Sequence, residues 1–363
     1  MNENGAADFP VSVLFLAEHL DAPEAQLILR LHRAGDRVAL MADPERRFCG
    51  PLLAAGIPMT DLPPGGWRNR AGERAIARVL ETGGYRILHA LQNRPLANGL
   101  RAVRGRDVRI IAYRGAMHLS WRALWRYRFG GVDRVVCISQ AVRDYLRARG
   151  MPARRLAVIR KGIAPEMYRP APRAALSEWG IPADGFVVGC AANMRPGKGI
   201  DVLIRAFGRF AGGRNAWLLL AGEVRDARLP RLARRSPAAD RIRFAGWRPD
   251  AAALMGACDL FAMPTRHREG LGKAVLEAMA QGVPALVTDA GGLPEIVADG
   301  RDGRVVQRGS VSALAEALAQ FADLPADRRR AMGARAAETI RARFHADDMV
   351  RAYRRLYREL LGR

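Results

Sequence analysis

Short apolar runs, each bounded by turn residues, alternate along this chain with segments of helical period, and they do so in two series. Such runs can be buried on both faces, so they read as parallel strands. The helical segments between them read as the crossovers that cover the sheet. The first series has runs at residues 11–17, 37–41, 86–89, 108–112, 134–138 and 156–159, with a helix expected over 23–34. The second has runs at 186–191, 216–221, 242–245, 260–263 and 284–288. A proline-rich break at 165–172 separates them, and 363 residues suit two domains better than one. The expected fold class is therefore α/β, with two doubly wound Rossmann-like domains facing across a cleft. The first spans 1–165, the second 166–345, and a C-terminal helix, 346–363, packs back on the first. Ligands of open α/β sheets bind at the carboxyl ends of strands, so the loops after strands are where chemistry belongs.

The formal charge of +23 admits three classes of partner: nucleic acid, an anionic membrane surface or an anionic substrate. Of the 59 basic residues only Lys161, Lys198 and Lys273 are lysines, and each stands beside a glycine. A compact ammonium next to permissive backbone suits a phosphate or sugar oxygen. The four cysteines show no CxxC spacing and read as buried thiols, which fits a reducing cytoplasm and argues against structural zinc. Residues 1–10 are polar and acidic, and the run at 11–17 is too short for a signal peptide or a membrane span. A cytoplasmic chain, soluble or peripheral on the membrane, is expected.

The strongest motif runs from Pro264 through Glu269, Gly270, Leu271, Gly272, Lys273 and Glu277 to Pro284. A strand ends at Met263, a loop with two glycines follows, and a helix is expected to start near Leu271. Free amides at a helix start hold diphosphate or sugar oxygens. Glu277 lies eight residues after Glu269, about two helical turns, so the two carboxylates are expected on one side, bracketing a polyhydroxylated ligand. The plain alternative is a helix with an acidic start and a routine surface glutamate.

This segment resembles the E-x7-E motif of the GT4 family of retaining glycosyltransferases, which have the GT-B fold. Further matches are Asp289-Ala-Gly-Gly-Leu-Pro294-Glu295, the loop Asn193-Met-Arg195-Pro-Gly-Lys198-Gly199, and, more weakly, Cys137-Ile-Ser139 and Arg160-Lys161-Gly162. The resemblance implies a nucleotide-sugar donor and a saccharide or lipid-linked acceptor. Arg195 and Lys198 would neutralise the leaving diphosphate, and Glu269 would contact the donor sugar. Glu277 would bind the ribose, and the backbone of Gly222 and of Gly270 to Lys273 would complete the donor site. No Asp-x-Asp triplet occurs, so neither metal nor cofactor is expected. A sugar-nucleotide epimerase of GT-B fold and a nucleic-acid-binding protein are the alternatives. The first is disfavoured by the Arg/Lys-Gly loop with E-x7-E, the second by the absence of a nucleic-acid-binding motif.

In the first domain His118 follows a strand, where the family often places a histidine near the reaction centre, and it reads equally as a structural or exposed side chain. His89, Arg114 and Asp21 are acceptor-side candidates. The glycine-rich loop usual after the family's first strand is replaced here by Glu18-His-Leu-Asp21-Ala-Pro23-Glu24, where Asp21 can instead cap the next helix. The stretch 119–129 interleaves Trp121, Trp125 and Phe129 with Arg122, Arg126 and Arg128. It reads as a segment resting on an anionic membrane, as a nucleic-acid stacking surface or as a core-packing helix with a basic outer face. No nucleic-acid partner is expected. The implied activity is metal-independent transfer of a hexose from a UDP- or GDP-sugar to a lipopolysaccharide core or another lipid-linked or anionic saccharide, with retention of configuration.

Overall fold

The computed structural model describes residues 9–63 and 66–362. The acidic start, residues 1–8, and Arg363 at the end of the expected last helical segment lie outside the described residues. The chain divides into two compact units. One runs to Gly162 and is completed by the segment from Ala346; the other is Ile163–His345.

The first unit holds a seven-stranded sheet in the order β3-β2-β1-β4-β5-β6-β7, every pairing parallel. Its strands are β1 (Ser12–Leu16), β2 (Arg37–Met41), β3 (Met59–Thr60), β4 (Ile87–Ala90), β5 (Arg109–Arg114), β6 (Arg134–Cys137) and β7 (Leu156–Val158). The second unit holds six parallel strands in the order β10-β9-β8-β11-β12-β13. These are β8 (Phe186–Ala191), β9 (Ala216–Ala221), β10 (Ile242–Gly246), β11 (Leu260–Met263), β12 (Ala285–Thr288) and β13 (Gly303–Val306). Each sheet is doubly wound, and its order reverses between β1 and β4 in one unit and between β8 and β11 in the other. The central strands β4, β11 and β12 are buried along their whole length, as strands covered on both faces must be.

Two strands had no apolar run to announce them. β3 is only two residues long, and β13 is half-buried; both are edge strands, which need fewer apolar side chains. The segment after the proline-rich break, Arg173–Trp179, forms a 3-10 helix.

The C-terminal helix, Ala346–Leu360, packs on the helix Ala22–Arg33 of the first unit. Its Met349, Tyr353, Leu356 and Tyr357 enter the core built around β1 and β2. Each such side chain contributes roughly 1.5–3 kcal/mol by leaving water. Asp36, a buried carboxylate at the start of β2, accepts from the Val11 amide at 3.1 Å and from Arg354 of that helix at 3.3 Å.

A second buried ionic cluster fixes the loop after β1. Asp21 caps the helix Ala22–Arg33 by accepting from the Glu24 amide at 3.1 Å, and the Glu24 side chain accepts in return from the Asp21 amide at 3.0 Å. Lys161 pairs with Asp21 and, at 3.3 Å, with Glu24. Burial alone would lower the Lys161 pKa, but Tyr113, Glu24 and Asp21 together hold it well above the ordinary lysine value. The expectation that every lysine serves a ligand therefore fails at Lys161, whose ammonium is committed to this cluster. Replacing it leaves the buried Glu24 and the partly exposed Asp21 without their cation. Lys161→Met is expected to lower stability by about 3–5 kcal/mol in denaturant unfolding. A loss below about 1 kcal/mol, the scale of an exposed pair, would show the cluster to be solvated.

Candidate functional site

The loops after β8 and β11 flank the point where strand order reverses in the second unit, the place where open α/β sheets hold ligands. The β8 loop carries Asn193 to Gly199, and the β11 loop carries Pro264 to Gly272. Backbone pressed on backbone joins them. Gly199 has φ +69°, and a Cβ there would sit 1.9 Å from the Pro264 carbonyl oxygen. Gly291, in the loop after β12, has φ +60°, and its Cβ would sit 1.9 Å from the Glu269 carbonyl oxygen. Only a residue without a side chain fits either place. Hydrogen bonds repeat the join: the Arg266 amide donates to Gly197 O at 3.1 Å, and the Gly292 amide to Glu269 O at 3.0 Å. Arg266 also pairs with Asp201 at the start of the helix Ile200–Phe210, at 3.2 Å.

This frame brings Lys198 and Glu269 into direct contact as an ion pair across the switch point, each side chain about four-fifths buried. Thr265 Oγ1 lies 3.5 Å from the same carboxylate, and the Thr265 carbonyl is itself held by the Thr288 hydroxyl. Arg195, at the head of the β8 loop, is exposed. Gly222 follows β9 and donates its amide to Gly246 O at 2.6 Å.

The helix after the β11 loop is Lys273–Ala280, two residues later than expected. Gly272 stands at φ +92°, a conformation a right-handed helix does not contain, so the helix cannot include it. Glu269 is on the loop before the helix, and Glu277 stands one turn after the helix start at Lys273. Lys273 and Glu277 share a side, with Nζ to Oε1 at 2.6 Å. Glu277 also accepts from the Tyr168 hydroxyl at 3.2 Å, and its side chain is only 13% exposed. Tyr168 follows the turn Pro165–Met167, in the segment taken from sequence as a mere break. Its one sequence signal was an aromatic among prolines.

Among the described residues, the amides of Gly270, Leu271 and Gly272 donate to no other backbone group. That of Lys273, first in its helix, has no intrahelical acceptor. Gly270 and Leu271 are buried. The site therefore offers a row of amides, the positive end of a helix, the ammonium groups of Lys198 and Lys273, and two carboxylates. Such a set suits a ligand with an anionic segment beside hydroxyl-bearing rings. No group of three His, Cys, Asp or Glu side chains among the described residues is arranged to hold a metal ion.

The first unit's candidates separate. His118 is exposed on the loop after β5. His89 is fully buried, with Nδ1 2.8 Å from the Tyr357 hydroxyl and its ring packed against Phe15 and Tyr353. Burial pushes its pKa down to about 3, so it is neutral in the core. Arg114 is buried and donates Nε to Ala116 O at 2.6 Å. Asp21 belongs to the Lys161 cluster. His89 and Arg114 thus serve the first unit's interior, which corrects the acceptor-side expectation for both, while Asp21, partly exposed, caps its helix. What opens at the carboxyl ends of β1 and β2 is a cavity of about 540 Å³, lined in part by Glu18, His19, Asp43, Arg46, Arg94 and Asn98. The rule that ligands bind at the carboxyl ends of strands, and the loop Glu18 to Glu24 after the first strand, pointed there.

The fold is that of known GT-B glycosyltransferases. A glycosyltransferase of Rickettsia africae superposes with a TM-score of 0.86 over 97% of this chain and 99% of its own, at 18% identity. Anabaena HepE in complex with UDP and glucose gives 0.82 over 97% and 100%, at 22% identity. Residues 174–339 match the model for glycosyl transferases group 1, and residues 25–167 that for Glycosyltransferase Family 4. The lipopolysaccharide core biosynthesis glycosyltransferase LpsE of Rhizobium meliloti is 32% identical over 67% of this chain and 70% of its own. The GDP-mannose-dependent alpha-(1-6)-phosphatidylinositol monomannoside mannosyltransferase of Mycobacterium tuberculosis is 31% identical over 66% and 67%. The chain belongs to the group 1 glycosyltransferase family.

Because Gly291 lies against the Glu269 carbonyl, Gly291→Ala is expected to displace the β11 loop. The strain is on the order of 1–3 kcal/mol. Thermal unfolding should fall modestly while the affinity of the β11 loop for an anion such as inorganic pyrophosphate, followed by calorimetry, is largely lost. Undiminished binding would show that the loop does not depend on this contact.

Proposed function

We propose that this chain is a retaining glycosyltransferase whose donor is a UDP- or GDP-linked hexose, bound in the second unit. The observation that carries the reading is the meeting of Lys198 and Glu269 beside the unpaired amides of Gly270 to Lys273. A diphosphate lying along those amides competes for Lys198, and Arg195 adds a second cation. When the bond from the sugar's anomeric carbon to the diphosphate breaks, the electron pair leaves with the diphosphate. Its growing charge is met by Lys198, Arg195 and the helix start. We infer that these cations neutralise the charge a metal would otherwise meet, so that transfer is metal-independent. Glu269, freed from Lys198, is positioned to accept from hydroxyls of the donor sugar. Glu277, held by Tyr168 and Lys273, is positioned to accept from the ribose hydroxyls. The acceptor hydroxyl attacks the oxocarbenium-like centre from the face the diphosphate leaves, and its proton passes to a departing phosphate oxygen.

The acceptor proposed is a lipopolysaccharide core or another lipid-linked or anionic saccharide. The +23 charge and the relatives named for lipopolysaccharide core and phosphatidylinositol mannoside synthesis support this choice. The cavity beyond β1 and β2, with arginines and carboxylates in its wall, offers both signs of charge to such a saccharide. We place the enzyme in the cytoplasm, working at the inner face of the membrane.

A panel of UDP- and GDP-sugars scored by slow donor hydrolysis identifies the donor. With that donor, Lys198→Ala and Glu277→Ala are expected to reduce turnover. The lysine change should act mainly on kcat, by about 10²–10³-fold, the scale of losing one group that stabilises developing charge. The glutamate change should act mainly on KM. Unchanged turnover in both variants refutes the site.

A further inference from the structure

The helix Trp121–Phe129 carries two apolar faces, and the core takes only one of them. Ala123 and Tyr127 are buried, with the Tyr127 hydroxyl donating to Asn93 at 2.8 Å. Trp121, Trp125 and Phe129 recur every fourth residue, each turned by about 40° from the last, and form a row on another side. They are 73%, 56% and 61% exposed. Trp67, from a separate loop, is 47% exposed and joins them through Arg126, whose guanidinium lies 4.3 Å from its ring centroid. Arg122 covers Trp121 at 5.4 Å and Arg128 covers Phe129 at 5.2 Å, so the rings are interleaved with guanidinium groups. Residues 108–132 hold five arginines and neither aspartate nor glutamate. Desolvation first, and then the nearby Arg101 and Arg122, push the Arg126 pKa below its usual value against the opposing pull of Tyr127.

We propose that this face docks on an anionic lipid bilayer, with Trp67, Trp121, Trp125 and Phe129 entering the headgroup region and Arg122, Arg126 and Arg128 meeting lipid phosphates. Charge of one sign favours an anionic bilayer over a protein partner: residues 108–132, which include this face, bring five arginines and no carboxylate. A bilayer requires no matching shape, and it rewards aromatic rings at headgroup depth and each arginine near an anionic surface. The surface deepens the proposed membrane-face location and rests on it, not on the donor chemistry.

The test is sedimentation of the full chain with phosphatidylglycerol vesicles and with phosphatidylcholine vesicles, at low and high salt. Binding is expected on phosphatidylglycerol alone, weakening as salt rises. Trp121→Ser with Trp125→Ser should reduce it about tenfold or more. Arg122→Gln with Arg126→Gln should reduce it on the order of thirtyfold. Trp121, Arg122 and Trp125 are exposed, Arg126 is half-buried, and none of the four belongs to the donor site, so donor hydrolysis should stay as in the parent. No sedimentation at low salt overturns the proposal, as does binding that survives both pairs of substitutions. Self-association in analytical ultracentrifugation that the tryptophan changes abolish, without lipid binding, overturns it in favour of a second copy. In each case intact donor hydrolysis leaves the donor-site reading standing.

Discussion

Three loops of the second unit are held in contact by main chain lying on main chain, with Gly199 against Pro264 and Gly291 against Glu269. Any side chain at either glycine would push the loops apart. Because the contact is between backbones, the positions of Lys198 and of the Gly270 to Lys273 amides are fixed by the covalent frame and not by adaptable side chains. The ion pair of Lys198 and Glu269 is a consequence of that frame. It also serves the free protein, since two partly buried charges that await a ligand would otherwise lack compensation.

The first unit uses its charges in the same way. A loop without a glycine pair follows β1, and its acidic residues are occupied: Asp21 caps a helix and both Asp21 and Glu24 hold Lys161. Those charges stabilise the unit's interior, while the polar cavity beside them is lined by other residues, among them His19, Arg46 and Arg94.

How legible this was in the sequence depended on range. The buried central strands show as apolar runs because both their faces leave water, and the glycine-flanked Lys198 and Glu269 loops show because few other arrangements use such a pattern. Two of the four edge strands, β3 and β13, were hidden by brevity and partial exposure. The start of the helix at Lys273 was hidden because it turns on the backbone angle of Gly272. His89 and Arg114 looked available because they lie at strand ends. Their burial is decided by Tyr357 of the C-terminal helix and by the local Ala116 carbonyl. The role of Tyr168 was invisible for a like reason, since Glu277 lies more than a hundred residues away.

The central claim is that the loops after β8 and β11 form a diphosphate site in which a ligand replaces Glu269 as the partner of Lys198. A crystal structure with bound UDP or GDP tests it most directly. The account predicts diphosphate oxygens within hydrogen-bond distance of the amides between Gly270 and Lys273 and of Lys198 Nζ, with the Lys198–Glu269 pair opened. A nucleotide bound elsewhere, or one bound while that pair stays closed, would contradict it.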